Sequence, residues 1–319
     1  MRRCKPVCGA SAMKTFTRVS AGVVAIAVLG LMSALPAQNE NPSSDRVLFK
    51  VNTDMVFIKV SVTDPLNRYV TGLERDHFKI YEDKVEQTIS HFETEQAAVS
   101  VGIIFDVSSS MKDNDNIKKA KKAVIRFLQS GNPEDEYFLV TFNEKTTLVQ
   151  SFTNRSSALH DETQLQKPGG RTALYDAVYL GLDQIREARN EKKALILVTD
   201  GEDNSSRYSL REVREFAQES DVQIYSIGQE GNLNYGRTEI TSIVSLTGGR
   251  AFFPRSFNEL DYYIDLIHSE LRNQYLLGYI SANKVHDGKW RHIKVKLDTP
   301  KGLPKLSIRA KEGYYAPKN

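Results

Sequence analysis

The chain has 319 residues, 40% of them hydrophobic and 26% charged, with 43 basic against 40 acidic side chains. That composition provides for one large or two modest cores and excludes a disordered chain. Both cysteines, Cys4 and Cys8, fall in the first stretch, so the rest of the chain offers no disulfide, thiolate nucleophile or Cys-ligated metal.

Residues 1–20 carry Arg2, Arg3, Lys5, Lys14 and Arg18 and no acid, and AGVVAIAVLGLMSAL and then polar QNENPSSD follow. This order reads as an export signal over residues 1–37, cleaved near Ala34 or Ala37. An uncleaved anchor is the alternative, although the apolar run is short for a membrane span. Loss of the five basic residues leaves 38 against 40. A chain so close to neutral has no electrostatic pull on nucleic acid. After cleavage no integral membrane insertion is expected, and the destination is periplasmic, secreted or associated with the cell envelope.

Over residues 45–96 the pattern is strand-like. VFIKVSVTD alternates Val56, Ile58, Val60 and Val62 with other side chains and turns at Asp64-Pro65; HFKIYEDKVEQTISHF adds Phe78 and Ile80, a charged turn, then Val85, Ile89 and Phe92. Residues 98–268 change character. The strand VSVGIIF precedes NIKKAKKAVIRFLQ, whose Ile117, Ala120, Val124, Phe127 and Leu128 make one helical stripe, with KKAKK as its solvated side. EYFLVTF is the next strand, and TTLVQSF is an antiparallel neighbour at an edge. TALYDAVYLGLDQIREA places Leu174, Ala177, Val178, Gly181, Leu182 and Ile185 at helical spacing before the strand KALILVTD. SLREVREFAQES opens with a capping box, Ser209 and Glu212. VQIYSIG, TEITSIVSLTGG, AFF and FNELDYYIDLIHSEL complete the alternation. Such an order predicts an α/β fold with an open, mostly parallel, Rossmann-like sheet flanked by helices. Residues 273–317 return to strands in QYLLGYIS, WRHIKVKLD and KLSIRAKEGYYA. Each flank, about 45–50 residues, is too small for an independent core. The two are expected to pair into one β-sandwich with the α/β domain inserted between them, two small separate sheets being the alternative, and Trp290, Tyr314 and Tyr315 are expected to pack it.

In a parallel sheet, ligands collect at the carboxyl ends of strands. Asp106 ends the first such strand in FDVSSSM, with hydroxyls following at Ser108 and Ser110, and Asp200 ends KALILVTD. Gly169 and Gly170 precede Thr172 at a helix start in PGGRTALYDA. Asp106, Ser108, Ser110, Thr172 and Asp200 are all hard oxygen donors suited to Mg²⁺, less selectively to Mn²⁺ or Ca²⁺. Helix capping and turn formation are the bland reading of the same residues. Asp176, one turn into the helix, orients a water or loop amide or simply favours the helix N-terminus. Glu202 and Asp203 add negative field near the crevice or, more simply, keep the surface soluble. His77, His91, His160, His268, His286 and His292 are scattered without a zinc pattern, and neither GxSxG nor a lysine-bearing phosphate loop is present.

FDVSSSM, GGRTALYDA and LILVTDGED in this order closely resemble the von Willebrand factor type A domain and its metal-ion-dependent adhesion site, Asp-x-Ser-x-Ser with a distant Thr and Asp. The resemblance implies metal binding by Asp106, Ser108, Ser110, Thr172 and Asp200, with Ser109 where the family has glycine. The flanks resemble those of secreted bacterial von Willebrand factor A-related proteins typical of acidobacteria, except that Lys84 stands where they tend to have a turn glycine. The function these readings imply is an exported, cation-dependent protein-binding or adhesion module that accepts an Asp or Glu from a protein partner. A metal-dependent phosphate-ester hydrolase and a structural envelope protein are the alternatives. No complete catalytic set is found, so no residue is assigned a catalytic role.

Overall fold

The computed structural model describes residues 55–94, 97–200, 202–228 and 236–318. The export segment read at residues 1–37 lies outside the described residues. The first flank forms β1 (Met55–Thr63), β2 (Phe78–Glu82), β3 (Val85–Gln87) and β4 (Ile89–Glu93). Strands and helices then alternate as β5 (Val99–Asp106), α1 (Asn116–Gln129), β6 (Glu136–Phe142), β7 (Thr146–Thr153), α2 (Ser156–Leu165), α3 (Leu174–Gln184), β8 (Lys192–Thr199), α4 (Leu210–Glu219), β9 (Gln223–Gly228), α5 (Gly236–Leu246), β10 (Arg250–Phe252) and α6 (Leu260–Arg272). The second flank adds β11 (Tyr275–Ile280), β12 (Trp290–Leu297), β13 (Ser307–Arg309) and β14 (Gly313–Tyr315).

Six strands form a mixed sheet in the order β10-β9-β8-β5-β6-β7, parallel except at β7. Every residue of β5, β6 and β9 is buried, which is why these segments carry continuous apolar runs rather than alternation. Successive side chains enter opposite cores: Ile103 and Phe105 join α1 and α6 on one face, and Ile104 joins α3, α4 and α5 on the other. The chain leaves β5 toward β6 on one side and later returns to β8 on the other. In open parallel sheets ligands bind at such a reversal, which here falls at the carboxyl ends of β5 and β8.

Helix α2 has no counterpart in the sequence reading, because only Leu159 and Thr163 of its ten residues are buried and no apolar stripe forms. Its end is held from α1 by Lys121, whose Nζ donates to the carbonyls of Gln164 and Gln166, both at 2.7 Å. The basic side of α1 is therefore more than a solvated face. Lys122 pairs with Asp261 at 2.8 Å, and Arg126 forks onto Asp265 at 2.8 and 2.6 Å, tying α1 to α6. The capping box of α4 forms as expected, with Ser209 N–H donating to Glu212 at 2.8 Å and Glu212 N–H donating to Ser209 Oγ at 3.4 Å.

The flanks form two antiparallel four-stranded sheets, β13-β1-β11-β4 and β14-β12-β2-β3, each drawing strands from both ends of the chain. Ile58, Val60, Ile80, Tyr275, Leu277 and Tyr279 share one core between them. Tyr314 packs against that core, whereas Trp290 meets Tyr315 edge-on at its margin and Tyr315 stays partly exposed. The β2–β3 turn places Asp83 at φ 45° and Lys84 at φ 73°, left-handed positions that favour glycine. Lys84→Gly is expected to raise stability by about 0.5–1 kcal/mol; urea unfolding checks this, and a loss of stability would contradict it.

Polar contacts fasten the flanks to the amino-terminal ends of the central strands. Glu270, at the end of α6 and wholly buried, accepts hydrogen bonds from Ser61 Oγ and Tyr69 OH, both at 2.8 Å, and pairs with Arg309. Lys59 of β1 donates to the backbone carbonyl and the carboxylate of Asp221, both at 3.2 Å. The carboxyl ends of β5 and β8 thus lie at the opposite end of the sheet from the flanking strands.

Candidate metal centre

Strand adjacency decides whether the two aspartates meet. β5 and β8 are hydrogen-bonded parallel neighbours with Phe105 opposite Val198, so Asp106 and Asp200 leave the sheet side by side. Both carboxylates are fully buried, Ser108 is 1% exposed and Thr172 is 4% exposed. A chain of short hydrogen bonds joins the motif across the crevice. Ser108 N–H donates to Asp106 Oδ1 at 2.7 Å, Ser108 Oγ and Ser110 Oγ lie 2.9 Å apart, and Ser110 Oγ donates to Asp200 Oδ1 at 2.7 Å. Ser109, in the family's glycine position, donates its N–H to the Gly170 carbonyl at 3.0 Å and has no left-handed φ, so its side chain imposes no strain.

The Thr172 loop is fixed by backbone contacts to both neighbours. Gly169 N–H donates to the Val107 carbonyl at 2.8 Å, and Ala173 N–H donates to the Asn143 carbonyl at 2.7 Å. Thr172 N–H donates to Asn204 Oδ1, and Asn204 N–H donates back to the Thr172 carbonyl, both at 2.9 Å. Gly170 has φ +86°, and a Cβ there would stand 1.5 Å from Glu144 Oε2. Gly170→Ala is therefore expected to lower stability by about 1–2 kcal/mol and to weaken Mg²⁺ binding, as read from melting curves across a Mg²⁺ titration; wild-type behaviour would contradict the assignment.

Neighbouring polar groups orient the carboxylates. Thr199 Oγ1 donates to Asp106 Oδ2 at 2.5 Å, and Asn116 Nδ2 donates to Asp200 Oδ2 at 3.2 Å. Neither residue belongs to the sequence motif. Asp176 performs the loop-amide role, accepting from Arg207 N–H at 2.8 Å and Tyr208 N–H at 3.0 Å, so it pins the loop after Asp200. Asp203 accepts from Tyr175 N–H at the start of α3, at 3.3 Å.

Burial pushes the Asp106 carboxyl up to about 6, although hydrogen bonds from Ser108 and Thr199 favour its charged form. Burial also raises Asp200. Among the described residues no Lys, Arg or His forms an ion pair with either aspartate. Two desolvated carboxylates with hydroxyls between them and no protein cation fit a hard divalent ion. Among the described residues no group of three or more His, Cys, Asp and Glu is placed to hold a metal. The scattered histidines contribute nothing here.

An open α/β domain with oxygen donors gathered at its sheet reversal is the class that this fold and site define. The von Willebrand factor type A domain model matches residues 100–266, just over half of the chain, and the chain belongs to that family. It is similar to an uncharacterized protein of Borreliella burgdorferi, 26% identical over 171 residues that make up 51% of this chain and 48% of the other. The chain thus spans about half the length of that curated relative. Among solved structures, a von Willebrand factor type A protein from Catenulispora acidiphila is 12% identical with a TM-score of 0.52, over 83% of this chain and 75% of that one. Proximal thread matrix protein 1 from the mussel byssus, described with a zinc-occupied MIDAS motif, is 20% identical with a TM-score of 0.51, over 61% of this chain and 50% of that one. At such identities the likeness is one of fold.

Proposed function

We propose that this protein is an exported, divalent-cation-dependent protein-binding module in which Asp106, Ser108, Ser110, Thr172 and Asp200 hold the ion. The observation that carries this reading is the continuous hydrogen-bonded path from Asp106 through Ser108 and Ser110 to Asp200, with both carboxylates buried and no protein cation paired to them. When bound, the cation supplies an electrophilic centre for an acidic side chain of a protein partner. The oxygen donors favour Mg²⁺, with Mn²⁺ or Ca²⁺ also compatible. Adhesion sites of this family bind divalent cations, and the mussel protein's zinc supports a divalent ion in such a motif without selecting which one.

Domains of this family are usually interaction modules rather than enzymes, which supports a binding role with no catalytic residue. In this reading residues 1–37 direct export, residues 98–268 form the recognition unit, and residues 45–96 and 273–317 form its mount. Among the described residues no helix is long and apolar enough to cross a membrane. The resemblance of the flanks to secreted bacterial relatives supports export.

The test is an array of acidic and amidated peptides probed with the protein in Mg²⁺, in chelator and as Asp106→Ala. Retention on acidic peptides in Mg²⁺ alone is expected. Equal retention in all three conditions would reject metal-mediated recognition.

A further inference from the structure

Asp106 and Asp200 together carry enough negative charge to neutralise a divalent ion, so a loaded centre has little net charge with which to attract an acidic group. A cation on the rim then adds to the selectivity for a carboxylate that the metal itself supplies. Arg207 is already engaged there, its Nε 3.2 Å from the buried Asp176 carboxylate. Lys112, Lys145 and Lys167 reach out from exposed positions as point charges.

Arg171 is placed differently. It directly precedes Thr172 and is exposed, and its backbone N–H donates to Glu144 Oε2 at 3.0 Å. Its Nη2 donates to the backbone carbonyl of Asn204, the same residue whose side chain and N–H grip Thr172. The guanidinium is thereby pinned across the seam between the loop of Thr172 and the loop of Asp200. Among the described residues no carboxylate forms an ion pair with it. A planar guanidinium tied by one hydrogen bond beside two ligand-bearing loops, with no carboxylate paired to it among the described residues, is suited to the bidentate geometry of a carboxylate.

We propose that Arg171 is the specificity-determining residue of the centre and donates to the carboxylate that a partner brings to the cation. The inference rests on the metal-binding reading above and names what that site selects. The full chain is titrated with Mg²⁺ by calorimetry and then, at saturating Mg²⁺, with the N-acetylated, C-amidated peptides Gly-Gly-Glu-Gly-Gly and Gly-Gly-Gln-Gly-Gly by NMR. Wild type is expected to bind Mg²⁺ and to prefer the glutamate peptide. Arg171→Gln is expected still to bind Mg²⁺ and, with Mg²⁺ saturating for each protein, to lose about tenfold in affinity for the glutamate peptide alone, with Arg171→Lys intermediate because it keeps the charge and loses the fork. Unchanged glutamate preference in Arg171→Gln, with Mg²⁺ still bound, would overturn the role of Arg171 and leave the metal site standing. Absence of Mg²⁺ binding in wild type would overturn both.

Discussion

Replacing Asp106 with asparagine is expected to abolish the Mg²⁺-dependent rise in melting temperature and to flatten the acid side of the metal-free stability profile. Asp106 is fully buried and its carboxyl is raised to about 6, above the ~3.9 of an unfolded chain. A raised folded-state value means that the group's favourable contribution is complete below about pH 4 and is lost as pH rises through about 6. The difference between the limits is on the order of 3 kcal/mol. In chelator, acidification from pH 7 to pH 4 should therefore stabilise wild type relative to Asp106→Asn, whatever the remaining carboxylates contribute to both. Asp200 is shifted in the same direction by its own burial, so the comparison of the two proteins isolates the contribution of Asp106. Mg²⁺ should remove the acid gain in wild type, because a cation favours the ionised carboxylate, and affinity in the variant should fall by more than ~100-fold. Matching pH profiles together with a retained Mg²⁺ response would contradict the placement of Asp106 in the centre.

Glu270→Ala is expected to cost about 3–5 kcal/mol, read as a drop in the urea midpoint. Glu270 is wholly buried where α6 meets the flanking strands, and its removal leaves Ser61, Tyr69 and the largely buried Arg309 without their shared acceptor. The uncompensated Arg309 charge accounts for much of that cost. A Glu270→Ala, Arg309→Ala double variant should consequently be less unstable than the sum of the two single changes. Strict additivity would show that the two side chains act independently.

The parts of the molecule legible in its sequence are those written in short-range patterns. The continuous apolar runs of β5, β6 and β8 announce a doubly covered sheet, the Ser209–Glu212 pair marks the start of α4, and the motif segments lie at strand ends and a helix start. What escaped depends on contacts between distant residues. Asn116 and Thr199 orient the two aspartates across the crevice, and Asn204 holds Thr172, yet each occupies a position where a polar residue is unremarkable. Glu270 reads as a surface acid until α6 is viewed in periodicity: it falls three residues after Ile267 and beside Leu271, on the stripe that faces the core. That offset was a usable signal. Helix α2 left none, since a helix that buries two side chains and is fastened by a lysine from α1 needs no amphipathic stripe.

Anomalous scattering from crystals soaked in Mn²⁺ tests the metal centre most directly. One strong peak is expected at the carboxyl ends of β5 and β8, within about 2.0–2.3 Å of its oxygen ligands, enclosed by Asp106, Ser108, Ser110, Thr172 and Asp200 and with an outward position filled by solvent. A saturated crystal with no peak there, or with the ion held elsewhere, would contradict the account.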